Sequence, residues 1–292
     1  MPASPTATKP GAMERTWPSV PSTGIIDLHL HAGPDRVRRY ATIRAIAGEA
    51  QQYGVVAAVY KRHDADTTSE CKAVNETAPY FRAHGSIVLN RWAGDLSWRK
   101  AHSALDHGAS FVWLPTHDAA HHLRDTGKED RPGISLLDSH GRLRRNVRDI
   151  IETVASFGAT LATGHIGVHE LELVLEFSYR SGFRSLVVTH ASLRKAVPLA
   201  LQIAAARAGA FIEHSALATT RAGGGRDAAE IAAEIAAVGA DACVLSSDLG
   251  QPANGHPLAG LLAFASQLQA AGCTAKDVET MLVRNPGRLL AQ

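Results

Sequence analysis

Cysteine is scarce in this 292-residue chain, and the three present, Cys71, Cys243 and Cys273, lie far apart with no CxxC spacing. Such usage excludes a disulfide framework and a thiolate zinc site, and it fits a reducing, cytoplasmic setting. No apolar run approaches the roughly 20 residues that an α-helix needs to span a bilayer. A surplus of charge is missing as well: 30 Lys and Arg against 28 Asp and Glu leave a formal net charge of +2. Neither nucleic acid nor a membrane is therefore expected as a partner. The first twenty residues lack the apolar stretch of a secretory signal and are instead rich in Pro, Ala, Thr and Ser, with Lys9 and Arg15. Residues 1–22 read as a flexible N-terminal arm ahead of one domain at residues 23–292.

What is present is an ordinary globular composition, 45% hydrophobic and 20% charged, in a chain long enough to bury a large core. Short apolar, β-branched runs alternate with longer amphipathic ones. Strands are predicted at 25–31, 55–61, 86–92, 110–116, 160–165, 185–190, 210–214 and 242–247. Helices are predicted at 42–53, 66–84, 97–108, 146–157, 168–181, 194–208, 227–238 and 257–271, with a helical tail at 275–290. Strands separated by helices imply right-handed crossovers and a parallel sheet, and eight such units match an α/β fold of the (β/α)8 TIM-barrel type. Gly54, Gly85, Gly108, Gly158 and Gly209 stand where helices would end in the left-handed conformation. Two βα connections are long enough to act as lids, one after strand four (117–145) and one after strand seven (217–226). The first contains a predicted hairpin at 134–143. The second carries Gly223-Gly224-Gly225, a flexible lid that lacks the Lys-Ser/Thr of a phosphate loop.

Histidine is well represented, with fifteen copies. His29 and His31 end the first strand, and alternation points both to one face. Chance places about one His-x-His in a chain of this composition, so the pair alone says little. In a parallel barrel, however, reactive groups stand at the C-terminal strand ends. Strand two ends in Lys61 and His63, strand four in His117, strand five in His165, strand six in His190, strand seven in Glu213-His214 and strand eight in Asp248. Six of eight strands ending in histidine is not a packing pattern. His29, His31, His165 and His190 offer neutral imidazoles and Asp248 a carboxylate, a donor set for a divalent ion: zinc first, manganese or iron after it. Such an ion lowers the pKa of a bound water, and Asp248 is the candidate to take its proton and pass it to a leaving group.

These residues resemble the amidohydrolase superfamily of metal-dependent barrel hydrolases. The likeness rests on Asp27-x-His29-x-His31, on histidines ending strands five and six, and on the aspartate ending strand eight. The tail Asn285-Pro286-Gly287-Arg288-Leu289-Leu290 is similar to an Asn-Pro-Ala-x-x-Leu ending found in that superfamily. Within residues 24–290, Lys61-x-His63, Val112-Trp113-Leu114-Pro115-Thr116 and Thr163-Gly164-His165-Ile166-Gly167 resemble one amidohydrolase-like branch. The resemblance implies hydrolysis of an amide, imide, lactone or ester bond of a small molecule by one or two metals per chain. A decarboxylase or hydratase of the same barrel, a phosphoesterase and a silent metal-binding scaffold are the competing readings.

The chain also departs from that superfamily. Many binuclear relatives bridge their metals with a carboxylated lysine or a glutamate from strand four, and here strand four ends Leu114-Pro115-Thr116-His117. Lys61 on strand two is the remaining lysine at a strand end. It is a candidate bridging carbamate, a partner for a substrate carboxylate, or one half of an ion pair. His63 beside it is a further candidate ligand. If neither binds, one metal sits on His29, His31, His165 and Asp248, with His190 hydrogen-bonding the substrate or its water. Arg36 and Arg39, His117, His214 and Arg221 are candidate substrate contacts. Either Glu213 or His214 faces inward and could orient a ligand histidine, a choice that alternation leaves open. Glu170 reads as the first-turn acid of a helix, Trp92, Trp98 and Trp113 as packing residues, and His121-His122 as solvated. Exposed barrel helices and the N-terminal arm make a homo-oligomer the expected assembly.

Overall fold

A computed structural model describes residues 24–128, 130–193 and 197–291; the expected arm at 1–22 lies outside them. Eight parallel strands form one sheet in the order β1 to β8. They are β1 (Ile25–His31), β2 (Val55–Lys61), β3 (Arg82–Val88), β4 (Ala109–Trp113), β5 (Thr160–Ala162), β6 (Leu186–Val188), β7 (Phe211–Ser215) and β8 (Cys243–Ser246). The helices are α1 (Ile43–Glu49), α2 (Thr68–Asn75), α3 (Trp98–Asp106), α4 (Ala120–Asp125), α5 (Arg145–Ser156), α6 (Val168–Arg180), α7 (Leu199–Arg207), α8 (Ala228–Val238) and α9 (Pro257–Ala270). The tail follows as α10 (Ala275–Glu279) and α11 (Asn285–Leu290). This is the predicted (β/α)8 barrel. Among the described residues, no helix is long and apolar enough to cross a membrane.

Alternation along each strand builds two separate apolar layers. Leu28, Val59, Val88, Phe111, Trp113, Ala162, Val187, Phe211 and Val244 fill the barrel interior. Their neighbours one residue away, such as Tyr60, Val112, Leu161, Ile212 and Leu245, pack outward under the helices. The tail closes the bottom: Leu289 joins the interior layer, and its carbonyl accepts from Thr160 Oγ1 at 2.9 Å. The seam between β8 and β1 is drawn together just past the end of β8. There Asp248 N–H donates to His29 O (2.8 Å) and His31 N–H donates to Leu249 O (3.0 Å). Asp27 laces the same seam from its side chain, because Oδ1 accepts from both His29 N–H and Ser247 N–H at 3.0 Å.

Several predicted elements are corrected. Strand β3 begins four residues earlier than expected and α2 is eight residues long, not nineteen. Gly85 therefore lies inside β3 and caps no helix. A Cβ there would stand 2.6 Å from Thr68 Cγ2 and 2.8 Å from Thr68 Cα, so glycine is required for α2 to approach the sheet. Gly54, Gly108, Gly158 and Gly209 do take the left-handed conformation after their helices. The 117–145 connection is not mere loop, for it contains α4. Its predicted hairpin reduces to a single antiparallel bridge, Leu137 with Leu143. In β1 a register shift between Asp27 and Leu30 marks a bulge. Because of it Leu28 reaches the interior layer while the next residue, His29, still reaches the ring of Trp113.

The close approach at Gly85 is open to test. Gly85→Ala should destabilise the fold by about 1–3 kcal/mol, the usual cost of overpacking, read as a lower urea midpoint. A midpoint equal to wild type would show that α2 can shift freely.

Candidate active site

At the C-terminal mouth of the barrel, β1 and the end of β8 bring three side chains to one point. His29 Nε2 lies 3.0 Å and His31 Nε2 3.2 Å from the same atom, Asp248 Oδ1. These three can hold a metal ion, as can His31, Asp35 and His63 next to them. Their other faces are fixed by acceptors: His29 Nδ1 lies 2.8 Å from Glu213 Oε1, and His31 Nδ1 lies 3.1 Å from Lys61 O. A carboxylate and a carbonyl only accept, so in both rings Nδ1 carries a hydrogen, and Nε2 faces Asp248 as an acceptor when the ring is neutral and as a donor when it is protonated. Burial pushes His31 far below the ordinary histidine range, so that ring is neutral. Burial opposes protonation of His29 too, but Asp248 and Glu213 outweigh it and raise that ring. Despite its burial, Asp248 is held well below the usual carboxylate range by His29 and His31.

Glu213 organises the arrangement from β7. Phe211 faces the interior, so two residues on Glu213 does too and His214 faces out, which resolves the choice that alternation left open. One Glu213 oxygen accepts from His29 Nδ1–H and from Ser246 Oγ at 2.5 Å, and the other accepts the backbone N–H of His190 at 2.7 Å. Burial alone would raise this carboxyl; His29 and its other donors hold it down at about 2. His190 and Asp248 both have positive φ, 35° and 49°, a conformation that costs non-glycine residues about 1–3 kcal/mol. Their backbone N–H groups are the ones held by Glu213 and by His29 O.

The remaining histidines extend from this point as a row of rings. His31 and His63 have centroids 4.8 Å apart, and His63 stacks on His117 at 3.8 Å. His165 lies 4.8 Å from His190, which lies 6.1 Å from His29. Burial lowers His117 to about 3 and His190 to about 4 and puts His63 and His165 well below the ordinary range, so these four rings are neutral at physiological pH. His190 Nε2 is buried and has no hydrogen-bond partner. Lys61 Nζ is fully buried, 2.9 Å from His29 Nε2 and 4.0 Å above the Trp113 ring. Burial lowers this amine to about 8, even with Asp248 and Glu213 nearby.

Not every predicted residue arrives. His214 is turned outward to Ser192 Oγ, 2.7 Å away, because the alternation that admits Glu213 excludes it. Arg36 is exposed and stacks on the exposed ring of Trp92 at 4.0 Å, so Trp92 is no core residue. Arg221 is exposed on the β7–α8 loop. That loop's glycines form a closed turn in which Gly223 and Gly225 N–H groups bond to Thr220 O, and Arg226 pairs with Glu230 and Glu234. Arg39 does reach the site, buried and held by Asp35. Glu170 fills the predicted role at the start of α6, accepting from Gly167 and Leu136 N–H groups. His122, expected to be solvated, instead sits on α4 with its Nδ1 2.9 Å from His165 Nδ1. Only recognition of α4 inside the long connection would have placed it there.

Residues 24–213 match a family described as "Family of unknown function (DUF6282)". The chain belongs to that family. No curated protein matches the sequence. Among solved structures the barrel is similar to an amidohydrolase from Pseudomonas aeruginosa, with 12% identity, 92% of this chain and 97% of that one covered, and a TM-score of 0.62. It is similar also to a lactonase from Listeria monocytogenes (12% identity, 92% and 95% covered, TM-score 0.61). A variant of the organophosphorus hydrolase from Deinococcus radiodurans aligns with 14% identity over 91% and 93% of the chains, with a TM-score of 0.63. At these identities the likeness is one of fold.

Removal of the shared carboxylate is a direct test of this arrangement. Glu213→Ala should cost about 3–5 kcal/mol in urea unfolding at neutral pH, as expected when one partner of a buried pair is lost. Because its folded pKa lies below the ordinary value of 4.5, the stability from Glu213 is present above about pH 4.5 and is lost as pH falls towards 2. A loss under about 1 kcal/mol at pH 7 would show that Glu213 does not hold the site together.

Proposed function

We propose that this chain is a metal-dependent hydrolase that cleaves an amide, imide, lactone or ester bond of a small molecule. One observation carries the reading: two imidazole Nε2 atoms lie within 3.2 Å of one carboxylate oxygen in a buried site. Acceptors pressed together in a buried site repel one another unless a cation lies among them. A proton on His29 or the Lys61 amine reaches only part of the group, whereas one metal ion would serve His29, His31 and Asp248 together. His29, His31 and Asp248 would hold it, with His165 and the unpartnered Nε2 of His190 on the adjoining side. The nitrogen and oxygen donors suit zinc first, manganese or iron after it. Bound there, a divalent ion would lower the pKa of a water towards about 7 and polarise a substrate carbonyl.

The protein's own groups supply the remainder. Asp248, ionised at neutral pH, takes a proton from the attacking water and gives it to the leaving nitrogen or oxygen. His190 hydrogen-bonds the reacting carbonyl or the water, and the buried walls exclude bulk solvent. Lys61 as an ammonium 2.9 Å from His29 Nε2 would oppose a metal at the same atom. It is compatible with one as a neutral amine, which its lowered pKa makes accessible, or as a carbamate that serves as an additional ligand. His63 is the candidate ligand for a second ion. The hydrolases among the structural neighbours support the same chemistry, and the oligomer stays part of the proposal.

Purified protein should contain roughly one to two equivalents of Zn, Mn or Fe by elemental analysis. None, even after metal is offered, would sink the proposal. Asp248→Asn should keep metal while lowering turnover by about 10²–10⁴-fold, the usual range for loss of a general acid–base. Full activity in that variant would remove Asp248 from proton transfer. Product masses separate hydrolysis from a lyase reaction: the first adds one water and splits the substrate, whereas a decarboxylation loses carbon dioxide.

A further inference from the structure

Two cavities of different character meet at His165 and Leu193, which line both. The smaller, about 190 Å³, covers His31, Lys61 and Asp248 and is the place where a bond would be cleaved. Arg39 is part of its wall. Asp35 engages Nε (2.9 Å) and Nη2 of that guanidinium and both side chains are buried, so the cation is fixed and its Nη1 is left for a second acceptor. The larger cavity, about 550 Å³, lies beyond His165 and His190. Ile166, Leu171, Leu193 and Val197 make one wall apolar. Its floor carries two hydroxyls: Thr189 Oγ1 accepts from Gly164 N–H (2.9 Å) and Thr163 Oγ1 from Thr189 N–H (3.0 Å). With those lone pairs engaged, both hydroxyl protons remain to be donated.

We propose that the substrate has two unlike ends. A small anionic group beside the scissile bond meets Arg39 in the small cavity, and an apolar body carrying an acceptor oxygen fills the large one. The inference rests on bond cleavage at Asp248, which is why the small cavity is taken as the reacting end. A volume of 190 Å³ admits only a compact group there, whereas 550 Å³ is within the range that holds a drug-sized ligand. A guanidinium already oriented by a carboxylate loses little freedom on meeting a second anion, so Arg39 serves specificity and not packing alone.

Binding of inert probes to the metal-loaded protein, followed by calorimetry, tests both halves without turnover. 4-Phenylbutanoate should bind at least about tenfold more tightly than acetate, which meets the same cations but has no apolar body. That advantage should vanish in Ile166→Trp and in Ala222→Trp, the latter at the exposed rim of the large cavity where a bulky side chain does not threaten folding. The carboxylate should also bind at least about tenfold better than 4-phenylbutanamide in wild type, and that preference should fall about tenfold in Arg39→Gln, where the metal and Lys61 remain. An advantage over acetate that is missing, or that survives both tryptophans, overturns the apolar half. A carboxylate preference that is undiminished in Arg39→Gln overturns the anionic half. If the probes behave as stated while no ester, lactone, imide or amide is cleaved, the hydrolase reading fails and the two-ended pocket stands. Cleavage without these preferences keeps the hydrolase and overturns the two-ended pocket.

Discussion

The mouth of the barrel depends on one buried carboxylate. Glu213 accepts from a ring on β1, from a hydroxyl on β8 and from the backbone at the end of β6. Those three elements carry His29, Asp248 and His190, so a single side chain on β7 fixes the relative positions of residues drawn from across the barrel. The contacts also explain why an ionised glutamate persists where burial opposes it. Each charge-assisted hydrogen bond contributes about 1.5–3 kcal/mol, enough together to offset desolvation. The positive φ angles at His190 and Asp248 follow from the same design. Both residues stand where the chain turns sharply off a strand end, and both are held by a backbone N–H bonded to this network.

A site of this kind is stable only when its proton inventory is right. His31 has its Nδ1 hydrogen set by Lys61 O, and His29 has its own set by Glu213, so that Nε2 is the accepting atom of each ring in its neutral form. His165 adds a variation. Its Nδ1 faces His122 Nδ1, and a bond between two neutral rings needs one to donate and the other to accept. With His165 as the donor, its Nε2 lone pair is left for the site, matching His29 and His31. The helix α4 that carries His122 is therefore part of the machinery that sets tautomers, and not merely a cover over the β4 end of the barrel.

The barrel was legible because βα periodicity and strand-end chemistry both repeat eight times, and a repeated signal survives local error. Strand limits erred most at β3, where Arg82-Ala83-His84-Gly85 carries little apolar signal and Gly85 mimics a helix end. The group that could hold a metal was legible from alternation and spacing, since His29 and His31 lie at the C-terminal end of β1 and Asp248 just past β8. What escaped was set by tertiary contact. Glu213 and His214 are equivalent on a strand buried on both faces until the interior position of Phe211 breaks the tie. His122 looks like loop until α4 forms. Arg36, Arg38 and Arg39 lie together in sequence, yet only Arg39 has Asp35 four residues before it to draw it inward.

Charge decides how the site and the two cavities work together. Asp248, Glu213 and Asp35 bring three carboxylates to the mouth against the two cations Lys61 and Arg39, and burial keeps His31, His63, His117, His165 and His190 neutral. With His29 neutral as well, the balance is one negative charge, which the proposed divalent ion would turn to one positive. A buried positive balance is costly unless an anion arrives to neutralise it. Lys61 can supply that anion itself by taking up carbon dioxide as a carbamate, or the substrate can supply it through Arg39. The two solutions compete: a carbamate would remove the electrostatic reason for an anionic substrate, and a charged lysine would strengthen it. Substrate choice and the chemical state of Lys61 are thus one question, set by the few ångströms that separate its Nζ from His29.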